Sequence, residues 1–420
     1  MRYSLLDYLA CPACTGHLAT IVVEECPAEI SVRPRMPSRL VPTERAIVGP
    51  LPSPRSTTPI ALTLARYSTN PAPPERDSAV EVEKGLLVCL ACGRWFPISG
   101  RLPELLPDHL RDSDRDQELF ETYARVLPSD LIAALRAAPL LTDSLRTDDG
   151  ASYKRSEIGI EHRVDDPNFF SPGYSSPFNP HDAQFTLYLI KLFGAAVPLL
   201  DLKNGDVLLD SGCGYAWTTE WLYKAGVEAI GVDICRTYLE IGIQRMGVNR
   251  PHLVVADVEH LPIRSGSADA VFGYESFHHV PDRQKAMAGF GRALKPGGRL
   301  VLAEPGAAHE HAQISVDVMN KYGILEKGME LEDVRQYVAG TLLGTPEQVF
   351  LLRADHREIG KTLDRVFVQT HSVVEGNLFR IARKENLLET VTTAWQNPRR
   401  VVWPRVKRRV KAALVRLGLE

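Results

Sequence analysis

Neither sign of charge dominates this chain: 49 basic residues face 52 acidic ones across 420 residues, for a formal net charge of -3. Such a balance exerts no overall pull on nucleic acid or on an anionic membrane, so any attraction of that kind has to be local. Long apolar runs are scarce as well. The best candidate, Leu187 to Leu200, is interrupted by Lys191 and Pro198. It falls short of the roughly 18 uninterrupted apolar residues that a bilayer-spanning helix needs, so no transmembrane segment is expected. Met1 to Ala10 holds one Arg and no apolar core ahead of Cys11-Pro12. That is not the build of a secretory leader, and the expected compartment is the cytoplasm. No internal repeat is present, and the length suggests about two or three units with ample apolar content for a buried core.

Cysteine is sparse but ordered. Four of the seven fall in two C-x-x-C pairs, Cys11/Cys14 and Cys89/Cys92, with 74 residues between the pairs. Four thiolates so arranged suit the tetrahedral preference of a structural zinc ion. The gap is long, because ribbon pairs are commonly about 15 to 20 residues apart. Pro27 to Pro74 fills it with 11 of the chain's 30 prolines, a composition that resists core packing, and a longer loop adds closure entropy only logarithmically. Without a secretory leader, zinc is favoured over disulfides, and a closed four-sulfur site would stabilise folding rather than catalyse. Cys26 and Cys235 are left unpaired.

From Asp182 onward strands alternate with helices: a helix to about Leu200, then strand Val207 to Asp210, helix Thr218 to Ala225, strand Ala229 to Val232, helix Arg236 to Met246 and strand Leu253 to Ala256. The alternation continues with strand Ala270 to Tyr274, a helix capped by Asp282, a Lys295-Pro296-Gly297-Gly298 turn and strand Arg299 to Ala303. A helical region then precedes two final strands, Arg365 to Thr370 and Leu378 to Ala382. This pattern predicts an α/β fold with a Rossmann-like, doubly wound, mostly parallel sheet.

Within it, Gly212-Cys213-Gly214 forms a glycine turn after an apolar strand, and Asp233 closes the next strand 21 residues after Gly212. Glycines let backbone N–H groups approach a ligand, and a strand-end acid suits a ribose diol. A dinucleotide fingerprint would place a third glycine where Trp217 stands, and that bulk disfavours a pyrophosphate and hydride transfer.

Together with Val207 to Ala216 and Val232-Asp233, the stretches Ala256 to Ile263, Phe277 to Asp282 and Leu294 to Leu300 resemble the class I S-adenosylmethionine-dependent methyltransferases. The group in question includes the quinone-biosynthesis C-methyltransferases, and the resemblance covers roughly Asp182 to Lys384. It implies that Asp210, Gly212 and Gly214 hold the methionine end and ribose, with Cys213 and Tyr274 beside them. It further implies that Asp233 binds the ribose diol, Ile234 packs on adenine, and Asp257 with the Val258 amide reads the adenine edge. Ala216 departs from the third glycine found in many members. Cys213 reads as a small apolar filler before it reads as a reactive thiol. The flanks of both cysteine pairs resemble the small zinc-ribbon partner proteins of tRNA and protein methyltransferases.

His278 and His279 stand where acceptors dock in the family, so either is a candidate base, with wall-forming or backbone-bonding roles as the alternative. Glu275 either orients a substrate or faces solvent, and Tyr174, His181 and His309 lie in segments that could cap the pocket.

The expected division is a zinc-ribbon module over 1–108 with an insertion at 27–80, a connector over 109–181, the cofactor domain over 182–385 and a basic amphipathic helix over 386–420. In the last segment eight basic residues surround a stripe of Val402, Val406, Val410, Leu414 and Leu417. That helix reads equally as a solvated helix, a peripheral anchor on anionic lipid or an RNA-binding tail. The expected acceptor is a small molecule, a glycan or a lipid-linked compound. RNA and a catalytically idle adaptor are the alternatives.

Overall fold

Fully buried strands feeding glycine turns, such as Val207-Leu208-Leu209-Asp210-Ser211, bury both faces, as a parallel sheet covered by helices requires. The computed structural model describes residues 1–27, 39–40, 47–48, 58–67, 80–137, 150–164, 170, 175–179, 182–247, 250–306, 309–341, 348–354 and 368–372. The expected strand Leu378 to Ala382, the basic helix at 386–420, Tyr174, His181 and most of the proline-rich insertion lie outside these residues.

The N-terminal part contributes β1 (Leu18–Pro27), β2 (Arg39–Leu40), β3 (Ile47–Val48), β4 (Val80–Cys89), β5 (Trp95–Ser99) and β6 (Leu102–Leu105). The rest supplies β7 (Val207–Ser211), β8 (Glu228–Asp233), β9 (His252–Ala256), β10 (Ala268–Tyr274), β11 (Leu294–Pro305), β12 (Gln348–Ala354) and β13 (Val368–Ser372). They join in the order β13-β12-β11-β10-β7-β8-β9-β6-β5-β4-β1-β2, with β3 on β1. The central strands from β12 to β9 are parallel. The order reverses between β7 and β10, and the crevice beyond the carboxyl ends of strands at such a reversal is where α/β sheets take ligands.

The cysteine module continues this sheet. Strand β6 pairs parallel with β9, Glu104 opposite Val255 and Leu105 opposite Ala256, while β1, β4, β5 and β6 form an antiparallel meander. One apolar core holds Leu5, Leu9, Leu18 and Phe96 together with Leu209, Val232, Val254 and Phe290. The polypeptide between Leu9 and Arg264 is tied by a bridge from Leu9 to Ile263 and by bonds from the Ala10 amide to the Pro262 carbonyl and from the Arg264 amide to the Tyr8 carbonyl.

One expectation needs correction. Residues 348–354 fall within the expected helical region, yet they form strand β12 against Arg299 to Pro305 of β11, a long-range partnership that outweighs local preference. The apolar helix expected from Asp182 to about Leu200 spans Ala183–Leu200, behind an Asp182 side chain that accepts from the Phe185 amide. At 18 residues it is long and apolar enough to cross a bilayer by length and composition alone, and about a third of it is buried. Its Tyr188, Leu189, Leu192, Ala196 and Leu200 pack against Phe272, Tyr274 and Val301 of the sheet, as an amphipathic covering helix does.

Candidate active site

The turn after β7 departs from ordinary backbone geometry, with Gly212 at φ +68°, Gly214 at φ +52° and Ala216 at φ +57°. A side chain at Gly212 would place its Cβ 2.5 Å from the Ser276 Cβ, so only glycine fits the turn against the β10 loop. Ala216 holds a left-handed conformation that costs an alanine about 1 kcal/mol or more, at the position where the family often has glycine. Cys213 is buried, its Sγ would lie 2.8 Å from a Cβ on Gly231, and burial pushes its thiol well above its usual range. It fills space.

Asp210 is 1% exposed. Its Oδ2 accepts from the hydroxyls of Thr218 and Thr219, both at 2.6 Å. Its Oδ1 is buried with no hydrogen-bond partner, and burial raises the carboxyl to about 6. Asp233 accepts from the Gly214 amide at 2.7 Å and the Cys235 amide at 2.8 Å. It too is raised by burial to about 6.

The helix Ala151–Ile158 of the connector reaches the same end of the sheet. Its buried Lys154 donates to Asp257 Oδ2 at 3.1 Å and to Glu259 Oε2, while His260 Nδ1 lies 2.8 Å from the same Asp257 oxygen. Burial works against the Asp257 charge, but the His260 bond and the Lys154 ammonium outweigh it and lower its pKa. Ile234 packs partly buried beside Leu239 and Ile158, and Val258 packs against the main core.

A cavity of about 360 Å³ opens from the glycine turn. Its lining includes Gly212, Cys213, Gly214, Tyr215 and Thr218 of the turn and the helix after it, Tyr274, Glu275, His278, His279, His309 and Glu326, and the apolar Phe185, Leu189, Ile314 and Val318. Tyr274 donates its hydroxyl to the Leu189 carbonyl. Glu275, in a left-handed conformation at φ +48°, accepts from the Tyr188 hydroxyl at 3.2 Å. Asp210, Asp233, Ile234, Asp257 and Val258 lie outside the cavity lining, beneath or beside it.

The histidines form a knot. His278 Nδ1 lies 2.8 Å from Glu304 Oε2, and its Nε2 lies 3.5 Å from Glu326 Oε2. His309 Nε2 is 2.6 Å from Glu326 Oε2, and His279 Nδ1 is 2.5 Å from the Leu325 carbonyl. Glu304 also accepts from the amides of Ser276, Phe277 and His278. Burial, and then the Glu275 carboxylate, raise Glu304 to about 7. Burial opposes protonation of His279, yet the Glu157 and Glu326 carboxylates prevail and raise its pKa.

Residues 209–302 match the family described as a methyltransferase domain, and residues 2–100 match the Trm112p-like proteins. The chain carries a methyltransferase domain behind a Trm112p-like module. Methyltransferase GfsG of Streptomyces halstedii is 32% identical over 145 residues, covering 33% of this chain and 52% of that protein. The S-adenosyl-L-methionine-dependent Diels-Alderase iccD of Talaromyces variabilis is 36% identical over 142 residues, 32% of this chain and 47% of that one. The 27-O-demethylrifamycin SV methyltransferase of Amycolatopsis mediterranei is 35% identical over 111 residues, 25% of this chain and 41% of that one. The chain thus spans about half the length, or less, of these curated relatives.

The methyltransferase domain fits the methionine end of S-adenosylmethionine: Asp210 leaves one carboxylate oxygen for a cation, and the Gly212 cradle excludes a side chain there. The Trm112p-like module fits zinc. Cys11 and Cys92 sulfurs are 3.7 Å apart and Cys14 and Cys89 sulfurs 3.5 Å apart, near the roughly 3.8 Å edge of a tetrahedron with 2.3 Å zinc–sulfur bonds. Gly16 completes the knuckle, since a Cβ there would lie 2.8 Å from Ala91 and 3.1 Å from Cys89 Sγ.

Sequence reasoning missed Glu304, Glu326, Lys154 and Glu157. Glu304 carried a signal, an acid at the carboxyl end of the fifth parallel strand in chain order. Glu326 sits in an irregular segment with no periodicity to mark it.

Proposed function

We propose that this chain binds S-adenosylmethionine and methylates a hydroxyl of a small organic acceptor. The observation that carries the reading is that one cavity is lined by the glycine turn, by the histidine knot and by apolar side chains together. The name of the 27-O-demethylrifamycin SV methyltransferase relative supports a small-molecule acceptor.

S-adenosylmethionine supplies an electrophilic methyl group on a sulfonium that leaves as a neutral thioether. The protein therefore needs chiefly to align the acceptor and to take its proton. The glycine turn shapes the cavity wall at the polar, cationic end, and the buried Asp210 carboxyl behind it supplies negative charge that favours that end. Phe185, Leu189 and Val318 give the cavity an apolar surface for the acceptor. Glu304 holds His278 at Nδ1, so that Nε2 faces the cavity end where Glu326 and His279 converge, and that cluster receives the acceptor proton. The Trm112p-like module braces the domain in cis by extending its sheet at β9.

The test is incubation of the full chain with methyl-labelled S-adenosylmethionine and fractionated cell extract. Label entering the small-molecule fraction supports the reading, whereas label in RNA or protein overturns the acceptor class. Cofactor binding without label transfer overturns methyl transfer. Replacing both His278 and His279 by Ala is expected to slow transfer by about 100- to 10,000-fold while cofactor affinity stays near wild type.

Asp210 also sets a pH dependence. Its folded pKa stands above the unfolded value, so the ligand-free protein is most favoured below the unfolded pKa and loses stability as pH rises through about 6. A bound cation offsets that loss. Cofactor affinity measured by calorimetry is therefore expected to weaken about fivefold between pH 6 and pH 5, and Asp210→Asn is expected to weaken binding at pH 7 and flatten the profile.

A further inference from the structure

We propose that His278, His279 and Glu326 form a second metal site, separate from the four cysteines, that holds one divalent first-row transition ion at the acceptor end of the cavity. The inference deepens the proposed function by assigning that site a metal, and it rests on that reading only for the ion's catalytic use.

One ring nitrogen from each histidine and one carboxylate oxygen of Glu326 lie within 4.8 Å of one another, and all three residues line the cavity. Two imidazoles and a carboxylate are a ligand set for iron, cobalt, zinc or manganese, and leave coordination positions open to the cavity. The surroundings are those of a ligand set rather than of a lone hydrogen-bonded base. Metal-binding histidines characteristically engage a carboxylate or a backbone carbonyl through the other ring nitrogen, which fixes the ring and its tautomer. His278 engages Glu304 through Nδ1 at 2.8 Å, and that carboxylate is itself anchored by three backbone amides. The Leu325 carbonyl lies 2.5 Å from Nδ1 of His279, so Nε2 is the nitrogen that His279 would offer the ion. His309 meets the Glu326 oxygen at 2.6 Å, fixing the third group from the far side. Three elements distant in sequence are needed for this: the 3₁₀ turn Phe277–His279, the end of β11 that carries Glu304, and the segment after the helix Gln313–Tyr322.

Three carboxylates crowd the histidine pair. Glu157 Oε1 is 3.6 Å and Glu326 Oε1 is 3.9 Å from His279 Nδ1, with Glu304 behind His278. A divalent ion would offset this concentration of negative charge. Coordinated to the open positions, an acceptor hydroxyl would become more acidic, as metal-bound water does. With the ion bound, the histidine nitrogens and the Glu326 oxygen would serve as ligands, so the hydroxyl proton would pass to water in place of the cluster while the acceptor oxygen takes the methyl group and the carbon–sulfur pair leaves on the thioether.

The experiment uses the full chain with zinc retained on the cysteines, titrated with Co²⁺ in metal-free buffer and followed by calorimetry and visible absorption. One added equivalent is expected, with cobalt d–d bands and without the thiolate-to-cobalt charge transfer that would mark exchange at the cysteines. Glu326→Gln and His278→Asn are expected to weaken this equivalent about 100-fold, with zinc content and thermal midpoint reported for each to show that it folds. A total stoichiometry of one metal per chain, or a Glu326→Gln protein that binds the second ion as tightly as wild type, would overturn the proposal. Methyl transfer that proceeds undiminished in metal-depleted protein, with the cysteine zinc intact, would overturn the ion's catalytic use while leaving methyl transfer itself standing.

Discussion

Cys89→Ser in the full chain is expected to release the zinc and unfold the N-terminal module, with loss of soluble protein. A structural zinc contributes apparent binding free energies of about 10–16 kcal/mol in small metal-dependent folds, comparable to the entire stability of a typical domain. Cys89 is fully buried, ends β4 and faces Leu18 across the β1 pairing, so the damage would enter the meander directly. It should not stop there. Strand β6 shares its edge with β9, and the apolar core runs from Leu5 and Phe96 to Val232 and Phe290. The measurements are zinc content by metal analysis and the thermal midpoint, with a strong chelator on the wild type as a parallel arm. A variant that keeps its zinc and its melting temperature would show that Cys89 is not a structural zinc ligand.

Lys154→Ala carries the second large effect, a loss of about 3–5 kcal/mol of stability, because removing one partner of a buried ion cluster strands the others. The Lys154, Asp257 and Glu259 side chains are 4%, 3% and 1% exposed or less. Without the ammonium, two buried carboxylates confront each other across the β9 turn. Their folded pKa values would then rise above the unfolded values, so the deficit should be largest near pH 7 and shrink as pH falls through the carboxylate range. Urea denaturation at pH 7 and pH 5 measures both statements. The combined variant Lys154→Met with Asp257→Asn and Glu259→Gln, which removes all three charges, should recover much of the loss. A single-variant change below about 1 kcal/mol would refute the account. The result bears on function as well, because Asp257 is the acid that the family resemblance aims at adenine, and here a connector helix holds it.

Much of the framework was legible in the sequence because it depends on short-range chemistry. The helix Arg236–Met246 falls where its pattern places it, Asp282 caps the next helix by accepting from the Lys285 amide, and Gly212 and Gly214 adopt the positive φ that their turn requires. The C-x-x-C pairs likewise announce their chemistry within four residues. Periodicity, capping and glycine conformation are properties of neighbouring residues, so no tertiary information is needed to read them.

What the tertiary structure decided is which distant groups meet. Glu326 joins His278 across 48 residues, and Lys154 reaches Asp257 across 103; neither pairing leaves a trace in local pattern, because both arise from the order in which strands and connectors pack. The same holds for β12, whose seven residues become a strand only beside β11, and for β6, which turns an expected separate module into part of the central sheet. By itself the sequence determined the α/β framework, the glycine turn and the sulfur pairs, each set by local backbone preference or ligand chemistry. The composition of the histidine end, with Glu304 and Glu326 around two adjacent rings, was decided only by long-range packing, which alone brings buried charges within reach of one another.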